Sequence, residues 1–384
     1  MRRIKAMSLF ANVGIAETYL EQIGIDVVIA NEINHQRVKF YKQLYPHTTM
    51  VEGDITDIKI QNKLIELAKR QKVDLIMATP PCQGMSTVGK KDKNDVRNLL
   101  IKDAVKVIKE VKPKFIFFEN VPEQLNTYIK YNDSKILIPD FLREQFGEDY
   151  LFNDNFIVNS ADYGVPQSRE RAIILLSRKD TNKRWKFPKK DNQIITMEEA
   201  IGDLPSLDPE VYDLSKEEQF KIFPEFEKKR EEGLAVSKWH YPPKHVCRQV
   251  YSLMHTPTGE TAFNNIDLFK PKKKDGTFTK GFKNTYKRQE WNKPAYTVTM
   301  FNRTIGSQNN VHPGRYIGKD KEGYDLYSDA RVLTVYELML VTSLPENWNI
   351  PDWASEHFVR QVIGEGIPPL LVKKIMQELI NINE

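Results

Sequence analysis

Lys114-Phe-Ile-Phe-Phe-Glu-Asn-Val121 is the stretch that decides the fold. Residues 115–118 are apolar on both faces, which predicts a strand at the centre of a sheet covered by helices. The strand ends abruptly in a carboxylate and an amide, Glu119 and Asn120. Working back, 96–111 carries apolar residues three and four apart, the mark of an amphipathic helix, and 75–78 is another wholly apolar strand. Before these, helices are predicted over 59–70, 36–44 and about 16–24, and strands over 27–30 and 4–10. Working forward, 156–159 and 172–176 read as a closing strand pair. This alternation predicts an α/β fold: a mostly parallel, Rossmann-like sheet with helices on both faces. In such sheets ligands sit beyond the carboxyl ends of the strands. The residues just after each strand are therefore the candidate site.

The rhythm stops after Ser177. Residues 178–192 are basic and polar, and read as a linker; 215–233 reads as helical, and Tyr241-Pro-Pro and Asp275-Gly276 are turn signals. A second, smaller and irregular domain is expected there. Ile367-Pro-Pro precedes an amphipathic helix over 370–382, with proline at its start and enough apolar face to return to the first domain. The expected boundaries are 1–183 with 356–384 for the first domain and 184–355 for the second. A length of 384 residues suits two or three domains, at about 150 residues each.

Composition narrows the class. Hydrophobic residues make up 40% and charged residues 28%, which excludes a disordered, collagen-like or disulfide-scaffold chain. Mean hydropathy is −0.53, and no run approaches the roughly 18 apolar residues of a membrane span. The start, Met1-Arg-Arg-Ile-Lys-Ala-Met7, lacks the apolar core of a signal peptide. The two cysteines, Cys82 and Cys247, suit a reducing cytoplasm, where this chain is expected to work as a monomer. A net charge of +5 permits an acidic partner without requiring one.

Several strand ends carry chemistry. Thr79-Pro-Pro-Cys82-Gln83 puts a thiol after a buried strand, on a loop stiffened by two prolines; it is either a nucleophile or an inert buried thiol. Glu119 and Asn120 fall at the same sheet edge, where a helix cap is the plainer reading. Ser8-Leu-Phe10-Ala-Asn12-Val-Gly14 follows the first strand, and Gly14 allows a ligand close to the backbone. With one glycine it is no dinucleotide fingerprint, which excludes a nicotinamide oxidoreductase. Glu32 ends the second strand, where an acid can accept hydrogen bonds from a ribose. Asp54 follows another strand. In Gln167-Ser-Arg169-Glu-Arg171 two arginines on an extended segment point the same way and could grip a carbonyl or phosphate. His240, His245 and Cys247 lack a fourth partner at zinc spacing, so no metal is expected.

Taken together and in this order, the motifs resemble those of the cytosine-C5 DNA methyltransferases, the methylases of type II restriction-modification systems. The resemblance runs from Ser8 to about Ile375 apart from the variable middle. It adds Asp95-Val-Arg97-Asn-Leu-Leu100, Pro294-Ala-Tyr-Thr297-Val-Thr, His312-Pro, Arg331-Val-Leu333-Thr334-Val-Tyr-Glu337 and Gly364-Glu-Gly-Ile-Pro-Pro to the motifs above. Three positions depart from the family pattern: Asn12 stands for a usual glycine, Tyr336 for a usual arginine and Glu365 for a usual asparagine.

The resemblance implies S-adenosylmethionine as cofactor, bound by Phe10, Asn12, Gly14, Glu32, Asp54, Pro81, Leu100 and Glu365. It implies double-stranded DNA as substrate and Cys82 as the nucleophile that attacks cytosine C6 and activates C5. Glu119 would stabilise charge on the ring from N3, Arg171 would donate to O2, and Arg169 would hold the loop or Glu119. A base inside a duplex is out of reach, so it must be flipped out. Residues 84–91, with glycines near both ends, suit a closing loop. Gln83, Ser86, Lys90 and Lys91 would meet the DNA there. The middle region would be the target-recognition domain. Residues 270–293 hold nine Lys or Arg and two acids among Phe278, Phe282, Tyr286 and Trp291, with Lys272, Lys273 and Lys274 as phosphate contacts. A solvated basic loop is the alternative. The biological role implied is protection of host DNA from a cognate restriction endonuclease. Transfer-RNA cytosine methylation and a catalytically inactive DNA-binding protein are the rival readings. The long variable region and the intact Cys82 and Glu119 favour the DNA enzyme.

Overall fold

The structure is a computed structural model that describes residues 3–81 and 96–383, with the backbone alone for 96 and 97. Cys82, Gln83, Ser86, Lys90 and Lys91, and with them the expected closing loop, lie outside the described residues. The chain divides into two compact units: Met1–Tyr163 with Glu170–Asp191 and Ile367–Glu384, and Gly164–Arg169 with Asn192–Gly366.

The first unit is a sheet with helices. Its elements are β1 (Ile4–Leu9), β2 (Ile25–Glu32), α1 (His35–Leu44), β3 (Thr49–Glu52), α2 (Ile58–Gln71), β4 (Leu75–Ala78), α3 (Leu100–Val111), β5 (Phe115–Asn120), a hairpin of β6 (Tyr128–Tyr131) and β7 (Ser134–Leu137), α4 (Ile138–Phe146), β8 (Tyr150–Phe152), β9 (Ile157–Asn159) and β10 (Glu170–Arg178). The C-terminal helix, Pro369–Asn383, completes it. The strand order is β3-β2-β1-β4-β5-β10-β8, with β9 paired to β10. The first five strands are parallel; β10 runs antiparallel to β5, β8 and β9. Phe115–Phe118 are at most 1% exposed, as expected for the strand between β4 and β10. Five parallel strands bring their carboxyl ends to one edge, and the antiparallel β10 begins at that edge. Caps set the helix starts: Asn34 Oδ1 accepts the N–H groups of Gln36 and Arg37 before α1, and Asp57 Oδ1 that of Lys59 before α2.

Three expectations need correction. Residues 16–24 are not an α-helix but two 3₁₀ turns, Ile15–Glu17 and Glu21–Ile23. The Thr18 hydroxyl donates to Ile15 O at 2.8 Å, and Glu17 N–H to Gly14 O at 3.1 Å, so the segment closes i to i+3 bonds. The helix expected over 96–111 starts with such a turn, Val96–Leu99, before α3. Residues 178–192 are no loose linker. Trp185 is 1% exposed, its ring lies 6.2 Å from that of Phe115, and its Nε1–H donates to Ile375 O of the C-terminal helix at 2.9 Å. Asp191 pairs with Lys374 of the same helix. This anchored strap and the buried face of Pro369–Asn383, with Leu371, Val372, Ile375 and Met376 fully buried, hold the chain end in this unit.

The second unit carries little sheet. Its elements are α5 (Met197–Ile201), β11 (Glu210–Val211), α6 (Lys216–Ile222), α7 (Phe226–Val236), β12 (Lys244–His245), α8 (Cys247–Met254), β13 (Tyr316–Lys319), β14 (Asp325–Tyr327), α9 (Val335–Val341) and α10 (Glu356–Glu365). Residues 356–366, placed with the first domain by the sequence reading, pack with this unit. Buried charge organises it. Arg331, fully buried, donates to both Glu337 oxygens at 2.8 and 2.9 Å and to Asp329 at 2.7 Å. Glu337 also closes a capping box with Thr334 at the start of α9. The ion pair at Glu337 is thus supplied by Arg331, while Tyr336 stands beside it without charge.

Candidate active site

The loop after β1 bends through three left-handed residues, Phe10 (φ 61°), Asn12 (φ 51°) and Gly14 (φ 82°). Asparagine tolerates that region better than most side chains, which lets Asn12 take the bend without a glycine. The loop is tied at both ends. Ala11 N–H donates to Asn31 O and Gly14 N–H to Ala11 O, each at 2.9 Å. Asn12 N–H donates to Glu32 Oε2 at 3.0 Å. Glu32, 5% exposed, also accepts Ile33 N–H at 3.0 Å and Asn34 N–H at 2.9 Å. An ionised carboxylate offers about four acceptor positions, so one stays open to a ligand hydroxyl. Asp54, beyond β3, is exposed and accepts Thr56 N–H at 2.9 Å. Ile33, beside Glu32, is 62% exposed. Pro81 and Leu100 are half-buried. An acid with an open acceptor, a second acid and an exposed apolar side chain suit a nucleoside-bearing cofactor such as S-adenosylmethionine. Glu365, the last cofactor candidate, ends α10 in the second unit and is half-buried.

Glu119 and Arg171 meet across β5 and β10. Arg171 Nε lies 2.9 Å from Glu119 Oε1, with 11% and 12% of the two side chains exposed. Arg171 Nη1–H also donates to Glu170 O at 2.7 Å. Asn120, 3% exposed, donates from Nδ2 to Pro80 O at 2.9 Å and accepts Val121 N–H at 2.8 Å. The sequence reading did not single out Asn120 for a role, yet it ties the end of β5 to the Pro80-Pro81 turn that leads into Cys82. Its signal was an amide directly after the candidate acid. Thr79 closes the turn from the other side, its hydroxyl donating to Phe10 O at 3.3 Å.

Arg169 is buried in the second unit, where Nη1–H donates to Val298 O at 2.5 Å and Nη2–H to Gly364 O at 2.9 Å. Its neighbours bind the same segment. Ser168 N–H donates to Ala295 O at 2.8 Å, and Gln167 Oε1 accepts Val298 N–H at 3.1 Å. A Cβ on Gly364 would stand 2.2 Å from Thr299 O, so only glycine fits. Three motifs distant in sequence therefore form one packed unit.

The basic segment 270–293 divides in two. Lys273, Lys274, Lys280 and Lys283 are exposed, as are Phe278 at 52% and Phe282 at 75%. Lys273 N–H donates to Thr277 O at 2.7 Å, and Gly276 closes the hairpin with φ 83°. Lys272 is half-buried, with Nζ 5.8 Å from the Phe278 ring centroid. The later part is structural, so Arg288 and Tyr286 do not belong to the exposed phosphate-tracking surface expected over 270–293. Arg288 is fully buried and donates to the carbonyls of His312, Asp329, Leu253 and Ser328. Tyr286 is buried, Lys293 pairs with Glu290 and Trp291 packs under Arg315.

His240 and His245 are core residues. Burial, then the nearby arginines, push His245 down to about 3, and its Nε2 accepts Val332 N–H at 3.2 Å. His240 contacts the Thr334 hydroxyl and Pro205 O, both at 3.1 Å. Burial, and behind it Asp213, raises the Cys247 thiol, which makes it a poor nucleophile. Among the described residues no helix is long and apolar enough to cross a membrane.

The carboxylate–arginine pair and the tethered Pro80-Pro81 segment thus lie at one edge of the α/β sheet. The chain belongs to the C-5 cytosine-specific DNA methylase family, whose model matches residues 4–381. It is 42% identical to the type II methyltransferase M1.HgaI of Avibacterium volantium over 100% of this chain and 99% of that protein. The crystal structure of a candidate DNA modification methyltransferase encoded within an E. coli prophage shares the fold, with a TM-score of 0.64, 21% identity and coverage of 99% of this chain and 100% of that one. The methyltransferase EhMeth of Entamoeba histolytica shares it too, at a TM-score of 0.59, 14% identity and full coverage of both chains.

Proposed function

We propose that this chain transfers a methyl group from S-adenosylmethionine to C5 of one cytosine within a specific duplex DNA site. The observation that carries the reading is the Arg171–Glu119 pair, 2.9 Å apart, at the sheet edge where Asn120 tethers the turn leading to Cys82. The loop of Phe10, Asn12 and Gly14, with Glu32, Asp54, Pro81, Leu100 and Glu365, would hold the cofactor. When bound, S-adenosylmethionine supplies an electrophilic methyl carbon on a sulfonium.

C5 of cytosine is a poor nucleophile. The Cys82 thiolate adds to C6 of the flipped base, and the ring becomes an enamine whose C5 is reactive. Glu119, carrying or sharing a proton with N3, offsets the charge that develops on the ring, and Arg171 donates to O2. Arg169 would hold the catalytic loop or Glu119. After methyl transfer, loss of the C5 proton and of the Cys82 sulfur restores the aromatic ring. The products are 5-methylcytosine and S-adenosylhomocysteine.

Gln83, Ser86, Lys90 and Lys91 would contact DNA near the flipped base. Residues 184–355 would recognise the site, with Lys272, Lys273 and Lys274 at phosphates. The enzyme would act as a monomer in the cytoplasm and mark host DNA against a cognate restriction endonuclease. The test is tritiated-methyl transfer from S-adenosylmethionine onto long mixed-sequence duplex DNA, followed by bisulfite sequencing. One recurring methylated cytosine context supports the reading and reveals the site. Incorporation into transfer RNA but not DNA, or none at all, overturns it.

A further inference from the structure

The reaction proposed above leaves one buried carboxyl group unused. Glu17, 3% exposed, ends the 3₁₀ turn that follows Gly14. Its Oε2 accepts the Tyr41 hydroxyl from α1, and the Ser8 hydroxyl of β1 also faces it. Its own N–H donates to Gly14 O at 3.1 Å. The same Gly14 oxygen accepts the Tyr45 hydroxyl at 2.6 Å. The rings of Tyr41 and Tyr45 lie 4.8 Å apart and pack against Gly14. A Cβ on Gly14 would stand 2.2 Å from Tyr45 Cε2 and 3.0 Å from Tyr41 Cε2. Gly14 therefore rests on two phenol rings, and Glu17 grips one of them from within the core.

We propose that Glu17 is a positioning residue for cofactor binding: through Tyr41 and the Gly14 turn it fixes the left-handed loop of Phe10, Asn12 and Gly14 in the shape that receives S-adenosylmethionine. The inference rests on the cofactor reading of that loop. Glu32 holds the loop by its Asn12 N–H, and Glu17 holds Tyr41, one of the two rings packed against Gly14. Two carboxylates thus clamp a loop that carries one glycine.

Burial pushes Glu17 up to about 7, against the hydrogen bonds of Ser8 and Tyr41 that lower it. Ser8 of β1 and Tyr41 of α1 hydrogen-bond it, and Tyr45 of α1 lies within its electrostatic reach. The C-terminal helix brings Lys373, which is engaged by Gln22 Oε1 at 3.3 Å and by the Tyr19 ring at 5.2 Å. The grip on Tyr41 therefore changes between an ionised and a neutral acceptor near neutral pH.

The test is calorimetric binding of S-adenosylhomocysteine to the full chain at pH 6, 7 and 8, with no DNA and no turnover. The wild type should bind with an affinity that varies across this range. Glu17→Gln keeps an acceptor for Tyr41 and should bind near wild-type strength with the pH dependence removed. Tyr41→Phe keeps the ring and loses the hydroxyl, and should weaken binding about tenfold. Glu17→Ala should do the same; if it does not fold, Tyr41→Phe still decides. Unchanged affinity in Tyr41→Phe, or a wild-type pH dependence surviving in Glu17→Gln, overturns the proposal. A folded wild type that binds no S-adenosylhomocysteine overturns the cofactor reading, and this inference with it.

Discussion

Arg171 Nε sits 2.9 Å from Glu119 Oε1, held there by a register that sets Ile173 opposite Glu119 and Ala172 opposite Asn120. The antiparallel β10 enters at the edge where the parallel β5 leaves it. A cation and an acid meet where neither strand alone could place both. Arg171→Ala should lower single-turnover methyl transfer by about 10²–10³, the range for removing a donor aimed at developing charge. Arg171→Lys should recover only part, because a point charge does not reproduce the guanidinium fork. Transfer within twofold of wild type would mean that the pair serves the fold alone.

Asn120 links β5 to the turn before Cys82 through one buried hydrogen bond to Pro80 O. Asn120→Ala should destabilise the protein by about 1–3 kcal/mol, the cost of a lost buried bond and an unmatched carbonyl. It should lower kcat more than it raises KM for the cofactor, since the tether is on the Cys82 side. Denaturant melts and steady-state kinetics separate the two effects. An unchanged kcat at reduced stability would limit Asn120 to folding.

The basic hairpin offers a salt test. Replacing exposed Lys273, Lys274, Lys280 and Lys283 by Ala should flatten the slope of log K against log salt by up to about 0.9 for each phosphate that is no longer neutralised. Half-buried Lys272 should add less. Binding isotherms on duplex DNA between low and moderate salt read this directly. An unchanged slope would turn this face away from DNA.

The buried cluster of the second unit sets a pH limit. Burial by itself would raise Glu337, but Arg331 and then His312 overcome it and hold the carboxylate at about 2. Asp329 is likewise held well below the usual carboxylate range, by His312 and Arg331 against its burial. Carboxylates with depressed values contribute stability in full above their unfolded values near 4. They lose it as pH falls toward the folded ones. Melting temperature should therefore drop progressively below about pH 5. Arg331→Met, which strands two buried carboxylates, should cost about 3–5 kcal/mol at neutral pH. A melting curve unmoved by the substitution would contradict this.

The parts of the fold that were legible in the sequence are those with strong periodicity. Phe115–Phe118 could only be a central strand, and the apolar spacing of Leu100–Val111 and Pro369–Asn383 could only be helix. Residues 16–24 misled because their apolar spacing suits a helix, while the Thr18 hydroxyl and the Glu17 N–H close local bonds to Ile15 O and Gly14 O. Trp185 was hidden in a polar stretch, since one buried ring leaves no period. Arg288 looked like its exposed neighbours, because burial of a single charge is decided by carbonyls distant in the chain. At the site, the motif residues were legible by type and order. What surrounds them was not: the bonds of Asn120 to Pro80 O and of Arg169 to Val298 O and Gly364 O are contacts that only the folded chain brings together.

The most direct test of the Cys82 mechanism uses duplex DNA carrying the methylated site with 5-fluorocytosine in place of the target. Fluorine cannot leave as a proton, so a thiolate bonded to C6 stays bonded once the methyl group is on C5. Wild-type protein with S-adenosylmethionine should give a denaturation-resistant protein–DNA adduct, its attachment mapped by mass spectrometry to the peptide containing Cys82. Cys82→Ser should give none, yet still bind S-adenosylhomocysteine. An adduct that persists in Cys82→Ser, or a wild type that methylates ordinary DNA while trapping nothing on the fluorinated site, would contradict the mechanism.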